Sequence, residues 1–422
     1  MTTGKTRTYH DPLHGAITLS STDPVEALLT DLIETSAFQR LRRIRQLGPA
    51  SLVFHGAEMS RFTHSLGVMA VARRVFDRLS GIHEELRSHR ATVLCAALLH
   101  DIGHGPFSHT AEEVFGSHHE DWTIAIVEKS PEVRRLLDGF DPTLWQAICQ
   151  AYQHTHAVPC VWQLVSSQLD CDRIDYLMRD SYFTGASYGQ LDLDRILLAL
   201  SYDRRSQQLV VERKGLAAIE HYLVVRSFMY AQIYNHPKNL SATWVLEQIF
   251  RRARELLKRD ELEADETVTD WLLLPMTDIS IERYLEGDDG VFCYHVQRWQ
   301  KHPDAILADF SDRFINRRLL KVLDVTYATA EEQENLLANV QQQLLAEGVE
   351  AHRYSGLRRT WSKGYTAYHE GIKIKTPQGL KEINQISPLV QTLSQSAQRT
   401  WLIYPGEVVI GLCPLFIHST DM

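Results

Sequence analysis

The 422-residue sequence contains few features of an exported or membrane-bound protein. No stretch reaches the roughly 18 apolar residues that a membrane span requires, and no apolar run follows the basic residues of the opening MTTGKTRTYHDPLHG. The six cysteines include no C-x-x-C pair, in a chain long enough to fold without disulfide staples. We therefore expect reduced thiols, a cytoplasmic location and no membrane partner.

Basic charge is also scarce, because 44 lysines and arginines face 53 acidic residues, for a formal net charge of −9. A negatively charged protein has no general attraction to a nucleic-acid backbone unless its positive charges are clustered. Arg40, Arg42, Arg43 and Arg45 are close in sequence, but on a helix they point to different faces. Nucleic acid is therefore not the expected partner.

Strand-like alternation is scarce over the first three quarters of the chain, where apolar residues recur mostly at helical spacing. The segment ATVLCAALLHDIGH is apolar on nearly every side, which predicts a buried central helix that carries His100 and Asp101 to an interior site. Late segments rich in Tyr, Ile and Val, with turn residues between them, favour strands. We predict a mainly α protein with an all-helical core in 1–325, its motif-bearing part at about 50–182, and a small α+β region at 326–422.

Histidine is abundant, with 20 residues, and several of them fall within 100–119. Imidazole and carboxylate groups together suit a hard or borderline divalent cation, and His100-Asp101 is an adjacent pair of this kind. Alone, the dipeptide is weak evidence. A second histidine in RFTHSLG and a further carboxylate in LDCDRIDY extend the pattern to four ligands, which suit an octahedral ion with open positions. The pattern does not choose among Mg, Mn, Fe, Co, Ni and Zn.

Longer motifs make this pattern specific. The chain resembles the HD-domain phosphohydrolases, and within them the branch of the SAM-and-HD-domain deoxynucleoside triphosphate triphosphohydrolases and their bacterial relatives. The resemblance covers roughly residues 8–240. Its motifs are DPLHG at 11–15, FQRLRRIRQLG at 38–48, RFTHSLGV at 61–68, LLHDIGHGPFSH at 98–109, HHE at 118–120, DRIDYLMRD at 172–180, and the spaced set Arg226, Tyr234 and His236.

The resemblance implies an HD-domain core and assigns roles by position. The implied ligands of one divalent metal ion are His64, His100, Asp101 and Asp172. The implied active-site histidines are His104, His109 and His119. His118 could replace His119 by a one-residue shift, but Glu120 follows His119 as in the family. The positions that hold phosphates and sugar in the family are Arg61, Arg173, Tyr176, Asp180, Arg226, Tyr234 and His236.

The reaction that the resemblance implies is hydrolysis of a deoxynucleoside triphosphate (dNTP) at its α-phosphate, releasing deoxynucleoside and triphosphate. Phosphate chemistry needs a cation, guanidinium groups and an acid for the departing oxygen, and histidine suits the last task. We interpret His109 as this acid, assisted by Glu112. Two alternatives remain open. One is a phosphatase or phosphodiesterase acting on nucleoside monophosphates, cyclic nucleotides or another phosphoester, and the other is a nucleotide-sensing or nucleic-acid-binding regulator with little turnover.

The resemblance also implies regulation and assembly. Glu34, Gln39 and Arg42 match positions that read a regulatory guanine nucleotide in the family, which makes a nucleotide effector an expectation. Relatives form dimers or tetramers, so we expect a homo-oligomer. Lys373 and Lys375 are either ordinary strand residues or contacts to that effector. His14, together with His55, His83 and His89, is interpreted as a surface or satisfied core histidine.

Overall fold

The computed structural model describes residues 5–362, 364–367 and 371–408. Residues 409–422, which include Cys413 and the end of the predicted C-terminal region, lie outside the described residues. Within the described ranges the chain forms twenty α-helices and nine strands. The prediction of a mainly α protein with a small α+β region near the C-terminus is therefore confirmed.

The helices are grouped by their place along the chain. The first ten are α1 (Pro24–Ile33), α2 (Ser36–Gln39), α3 (Arg61–Ile82), α4 (Arg90–Leu99), α5 (His109–Phe115), α6 (His119–Lys129), α7 (Pro131–Phe140), α8 (Leu144–Tyr152), α9 (Pro159–Gln163) and α10 (Cys171–Thr184). The second ten are α11 (Leu193–Ala199), α12 (Leu216–Met229), α13 (Pro237–Leu257), α14 (Glu266–Leu273), α15 (Ile281–Glu286), α16 (Asp289–Trp299), α17 (Ala305–Ile315), α18 (Ala330–Ala346), α19 (Ala351–Tyr354) and α20 (Pro388–Leu393).

Helix α4 lies at the centre of the helical region. Every side chain from Thr92 to Leu99 is buried, as its uninterrupted apolar sequence predicted. Helix α3 packs against α4, and α10 packs against α3. Any residue other than glycine at position 67 of α3 would collide with α10, because a Cβ atom there would lie 2.1 Å from an Asp175 carboxylate oxygen. Glycine at this position therefore allows α3 and α10 to approach closely.

The strands form three small sheets. They are β1 (Thr6–Asp11), β2 (Gly15–Ser20), β3 (Leu200–Asp203), β4 (Gln208–Val211), β5 (Lys321–Asp324), β6 (Gly356–Ser362), β7 (Lys373–Thr376), β8 (Gly379–Glu382) and β9 (Ala397–Tyr404). Strands β1 and β2 pair as an antiparallel hairpin, and the other sheets have the orders β3-β4-β7-β8 and β5-β9-β6.

Both larger sheets combine strands from either side of residue 325. Strand β4 pairs in parallel with β7 through Val211 and Ile374, and β5 pairs antiparallel with β9. Five short strands, β1 to β5, thus accompany the helices before residue 325, so the core predicted as all-helical contains some β structure. Segments of four to six residues carry too little periodicity to be distinguished from loops in the sequence. The late strands therefore form sheets together with earlier parts of the chain.

The remaining expectations concern cysteines and membranes. The five cysteines among the described residues, at 95, 149, 160, 171 and 293, form no disulfide. In the part of the chain that the structure describes, no helix is both long and apolar enough to cross a bilayer.

Candidate active site

Four side chains from three helical segments meet in the interior. His64 lies in the first turn of α3, His100 and Asp101 follow directly on α4, and Asp172 lies in the first turn of α10. The Nε2 atom of His64 is 3.0 Å from Asp172 Oδ1 and 3.3 Å from His100 Nε2. Asp101 Oδ1 is 3.2 Å from His100 Nε2. The structure therefore brings together all four residues that the sequence predicted as metal ligands.

The donor set fits a divalent cation. Adjacent ligands of an octahedral ion with bonds near 2.1 Å lie about 3.0 Å apart, close to these separations. His100 Nδ1 is 2.9 Å from the carbonyl oxygen of Ala97, and His64 Nδ1 is 2.8 Å from Asp175 Oδ2. Because Nδ1 of both rings is hydrogen-bonded elsewhere, Nε2 of both rings faces the cluster. His64, His100, Asp101 and Asp172 could thus hold the ion.

The electrostatics of this cluster also favour a cation. Burial by itself lowers the pKa of His64, but hydrogen bonds to Asp172 and Asp175 outweigh it and raise that pKa to about 10. Burial by itself raises the pKa of Asp172, whereas hydrogen bonds from His100 and His64 lower it overall. The raised pKa of His64 reflects the negative charge of the surrounding carboxylates, and the lowered pKa of Asp172 keeps that carboxylate ionised, so positive charge is stabilised here.

A second cluster combines three histidines with one carboxylate. Glu112 accepts a hydrogen bond from Nδ1 of His119 through one carboxylate oxygen, and its other oxygen is 3.0 Å from Nδ1 of His109. His104 stacks on His119, with ring centroids 3.9 Å apart. Burial by itself raises the pKa of Glu112, but the hydrogen bonds to both imidazoles lower it overall. Each of the four residues brings one potential ligand atom within 4.8 Å of the others, so this cluster also has a composition able to bind metal.

The position of α6 explains why His119, and not His118, belongs to this cluster. A Cβ atom on Gly103 would lie 2.3 Å from the carbonyl oxygen of His119, so glycine permits close approach of the two segments. His119 contacts Glu112 and His104, whereas the side chain of His118 is exposed.

The turn that carries the second cluster has a constrained backbone. Phe107 and Ser108 have φ of 60° and 57°, a region that non-glycine residues rarely adopt. Asp289 accepts a hydrogen bond of 2.7 Å from the Phe107 N–H, and the guanidinium of the buried Arg40 donates to the carbonyl oxygen of His104 at 2.8 Å. Burial raises the pKa of Asp289 to about 6. Asp289 and Arg40 therefore hold this turn, a role that the sequence did not suggest.

A cavity of about 560 Å³ connects the two clusters, which is within the usual range for small-molecule sites. Of the predicted site residues, it is lined by Arg61, Asp101, His104, His109, His119, Asp172, Arg173, Tyr176, Asp180 and Tyr234. His64, His100 and Glu112 contact these lining residues from behind.

One wall of the cavity combines tyrosines with an acid. The Tyr234 hydroxyl donates to Asp180 Oδ2 at 2.8 Å, and the rings of Tyr176 and Tyr234 meet edge to face with centroids 6.0 Å apart. A π-helical turn, Tyr230–Tyr234, follows α12 and places Tyr234 here. Burial raises the pKa of Asp180 to about 7. Asp180 Oδ1 is buried and has no hydrogen-bond partner among the described residues, so it is available to a ligand.

The predicted arginines and His236 occupy different surroundings. Arg61 lines the cavity, and its guanidinium donates to Asp101 Oδ2 at 2.5 Å and to Ser108 Oγ at 2.8 Å. Arg173 also lines the cavity and pairs with Asp170. The two that do not line it are Arg226, which donates to Gln168 at 2.8 Å, and His236, which accepts a hydrogen bond from Lys238 N as the N-cap of α13.

The C-terminal region supplies part of the cavity wall, which the sequence analysis missed. Strand β6 contributes Arg358, Arg359, Thr360 and Trp361 to the lining. Arg358 bridges to the rest of the protein, donating to Glu247 of α13 at 2.6 Å. The side chain of Trp361 is exposed at the mouth of the cavity. No local pattern marks these residues, because only the tertiary contact of β6 brings them to the site.

The residues predicted for a regulatory nucleotide lie together but outside this cavity. Glu34 pairs with Arg7 of β1 at 2.5 Å, and Arg42 Nε donates to Gln39 Oε1 at 2.7 Å. The guanidinium carbon of Arg42 also lies 3.6 Å from the centre of the Phe62 ring. Lys375, on β7, donates to Glu212 at 3.0 Å and is therefore paired within the chain.

Comparison with known proteins places this geometry in a family. Residues 61–177 match the HD domain, and residues 191–347 match the HD associated region. The chain is 35% identical over 413 residues to an uncharacterized Bacillus subtilis protein, YwfO, covering 96% of this chain and 93% of that one. A protein of Dictyostelium discoideum, named as a deoxynucleoside triphosphate triphosphohydrolase SAMHD1 homolog, is 31% identical over 271 residues, covering 60% of this chain and 51% of that one.

A solved structure supports the same assignment. The crystal structure of a phosphohydrolase from Bacteroides thetaiotaomicron superposes with a TM-score of 0.83 at 30% sequence identity, covering 95% of this chain and all of the other. Its similarity extends beyond the HD domain into the C-terminal region. With the HD domain, the HD associated region and this near-complete structural match, the chain belongs to the HD-domain phosphohydrolase family.

Proposed function

We propose that this protein is a metal-dependent dNTP triphosphohydrolase, which converts a dNTP and water to a deoxynucleoside and triphosphate. The observation that carries the proposal is one cavity bordered by three chemically distinct groups. The acid-rich cluster suits a cation, the histidine cluster suits proton transfer to or from phosphate oxygens, and the Tyr234–Asp180 wall suits a sugar.

The phosphate end of the substrate fits the metal side of the cavity. A divalent ion held by His64, His100, Asp101 and Asp172 would supply positive charge at the α-phosphate and lower the pKa of water. Arg173 lies on the same side of the cavity and adds a guanidinium that can bind phosphate oxygens.

The histidine cluster fits the leaving oxygen. In the proposed reaction, water attacks the α-phosphorus, the bond from phosphorus to O5′ breaks, and His109 gives its proton to O5′. Nδ1 of His109 is held by Glu112, and Nε2 has no hydrogen-bond partner among the described residues. A carboxylate hydrogen-bonded to one ring nitrogen orients the ring and stabilises its protonated form, so that the other nitrogen can donate. Triphosphate keeps the oxygen of the water, the deoxynucleoside leaves with O5′ protonated, and the proton released by the water returns through solvent to restore His109.

The tyrosine wall fits a deoxyribose. Tyr176 and Tyr234 present aromatic surface, against which a sugar ring can pack. Asp180 Oδ1 is free to accept a hydrogen bond from a sugar hydroxyl. We propose that the two tyrosines leave no room for a 2′-hydroxyl and so select deoxyribose. The Dictyostelium relative, which is named a deoxynucleoside triphosphate triphosphohydrolase homolog, supports this choice of substrate class.

The test identifies products. Metal-loaded protein is incubated with each dNTP and each ribonucleotide, and products are separated by ion-pair chromatography. The proposal predicts deoxynucleoside and inorganic triphosphate from dNTPs, with both lost in His109→Ala and retained in His118→Ala, the exposed neighbour of His119. Release of orthophosphate, or turnover only of nucleoside monophosphates or cyclic nucleotides, would support the phosphatase or phosphodiesterase alternative instead. Tight nucleotide binding without turnover would support a sensing regulator.

Regulation and assembly are tested in the same assay. We propose a nucleotide effector site at Glu34, Gln39 and Arg42, and a dimeric or tetrameric enzyme. Activity that appears only in dNTP mixtures or with added GTP, and that is lost in Arg42→Ala, would support the effector. Light scattering coupled to gel filtration, with and without nucleotide, measures the assembly.

A further inference from the structure

A chain of buried polar side chains connects the candidate metal ligand His64 to the N-terminal hairpin. Asp175 of α10 accepts from Nδ1 of His64 at 2.8 Å through one oxygen, and its other oxygen is 2.5 Å from Nε2 of His14. Arg179 donates to the same carboxylate at 2.8 and 3.1 Å, and to Asp11 at 2.8 Å. Asp175 therefore has three partners, whose side chains are at most 6% exposed.

The far end of this chain is the turn of the hairpin itself. Asp11 Oδ1 accepts from the backbone N–H groups of Leu13 and His14 at 2.9 and 2.8 Å, and its Oδ2 accepts from Arg179. One carboxylate thus both shapes the turn and attaches it to α10. Because the side chain of His14 is only 6% exposed, its ring is enclosed between the hairpin and α10.

The backbone of α3 lies directly against the Asp175 carboxylate. A Cβ atom on Gly67 would lie 2.1 Å from Asp175 Oδ1 and 2.4 Å from Arg179 Nη2. Asp175 is therefore confined on one side by the backbone of α3, while His14 and Arg179 hold its oxygens. Its orientation toward His64 is fixed by contacts from three separate segments of the chain.

We propose that His14 and Asp11 are positioning residues for the metal centre, which act on His64 through Asp175. The inference rests on the proposed function only in taking His64 as a metal ligand. A carboxylate that accepts from one ring nitrogen of a ligating histidine fixes its tautomer and ring orientation, and losing such a partner typically weakens metal binding by about 10–100-fold. His14 orients the carboxylate by direct contact, and Asp11 does so through Arg179.

The test measures metal affinity without any nucleotide. Full-length protein is loaded with Zn²⁺ or Mn²⁺, and its dissociation constant is determined by competition with a chromogenic chelator. His14→Ala is expected to weaken binding by about 10-fold or more. His14→Gln, which keeps a side-chain N–H, should recover part of the loss. His10→Ala is the matched control, because His10 lies on the same hairpin with an exposed side chain.

A structural role is separated from a positioning role by thermal unfolding with saturating metal and with EDTA. Positioning predicts a smaller rise in Tm on metal binding for His14→Ala, whereas loss of fold stability alone would lower both Tm values equally and leave the dissociation constant unchanged. Asp11→Asn is a second, milder variant, because asparagine can still accept from the turn N–H groups while losing its charge toward Arg179.

Two further results distinguish this inference from the proposed function. An unchanged dissociation constant in both His14→Ala and Asp11→Asn would overturn the inference and leave the metal site intact. Metal binding as tight in Asp172→Ala as in the wild-type protein would contradict the assignment of the four metal ligands. The proposed function would then be contradicted as well.

Discussion

The two polar clusters at the cavity contain similar residues in opposite proportions. Around His64 and His100, the carboxylates of Asp101, Asp172 and Asp175 outnumber the imidazoles. The second cluster has three imidazoles and one carboxylate, Glu112, which contacts His109 and His119, while His104 stacks on His119. The first cluster is almost entirely buried, whereas His109 is two-thirds exposed to the cavity and solvent.

The proportion of acid to imidazole decides what each cluster can bind. A buried excess of carboxylates stabilises a cation, and an excess of imidazoles around one carboxylate can exchange protons or meet the oxygens of an anion. We therefore infer that one cluster binds the ion and the other handles the proton, although both have compositions able to bind metal. Predictions that separate metal content from turnover test this division.

The largest effect is expected for Asp172→Ala. Removing a carboxylate from the acid-rich cluster should reduce bound metal from about one ion per chain to nearly none, and kcat by about 10⁴-fold or more. Metal content is measured by mass spectrometry after dialysis, and kcat by product chromatography. If the wild-type chain bound two ions and His119→Ala lost one of them, the histidine cluster would also be a metal site. That result would contradict the division of roles between the two clusters.

The next effect is expected for His109→Ala. Loss of the proposed acid should lower kcat by about 10³-fold while the metal content stays at the wild-type value. His118→Ala, at the exposed N-cap of α6, is the control and should change neither. If His109→Ala also loses the ion, the two clusters act as one unit.

A smaller effect is expected for Glu112→Gln, which removes the only carboxylate of the histidine cluster and leaves its three rings. Because Glu112 orients His109 and His119 rather than touching substrate, kcat should fall by about 10–100-fold at unchanged metal affinity. The pH profile of kcat should also shift, since the stabilising charge next to both rings is lost. A wild-type profile in this variant would contradict the assigned role.

The smallest effect concerns Asp180, a buried acid that belongs to neither cluster. Its carboxyl faces the Tyr234 hydroxyl and the more distant charges of His64, Asp175 and Arg179, and burial raises its pKa from 3.8 to about 7. Because the pKa of Asp180 is higher in the folded state, the carboxyl ionises at a lower pH in the unfolded chain than in the folded protein. Its ionisation therefore lowers the free energy of unfolding above about pH 4, and this loss grows until about pH 7.

Asp180→Asn should therefore stabilise the fold, and the gain should be about 2 kcal/mol larger at pH 8 than at pH 5.5. Denaturant titrations at both pH values measure the difference. A gain that is the same at both pH values would show that Asp180 is already ionised at pH 5.5 in the folded protein. Burial would then not raise the pKa of this carboxyl.

The sequence predicted the residues that local motifs carry, and it missed those that only tertiary contacts reveal. The segment that is apolar on nearly every side and leads into the His100-Asp101 pair predicted a buried helix, and α4 is such a helix. His14 is a satisfied and nearly buried histidine, one of its two interpretations, but nothing in a single sequence indicates that its partner is residue 175.

The sequence analysis did not predict the contribution of strand β6 to the cavity for the same reason. Trp361 reaches the cavity through a sheet whose strands come from distant parts of the chain, and its surrounding sequence resembles that of any exposed strand. The assignment of His119 over His118 depended on one neighbouring residue in the sequence, whereas in the structure it depends on how closely α6 approaches Gly103. The local sequence pattern identifies residues able to take part in the chemistry, and tertiary packing determines which of them lie close together.

The connection of the N-terminal hairpin to α10 has a consequence for synthesis on the ribosome. His14 and Asp175 are separated by 161 residues, so the hairpin is made long before its partner carboxylate. At translation rates of about 5–20 residues per second, this interval lasts roughly 8–30 s. During that time β2 can already pack against α1, but the turn at Asp11 lacks its contacts to Asp175 and Arg179. The side chain of His14 therefore remains without its partner carboxylate until α10 has left the exit tunnel.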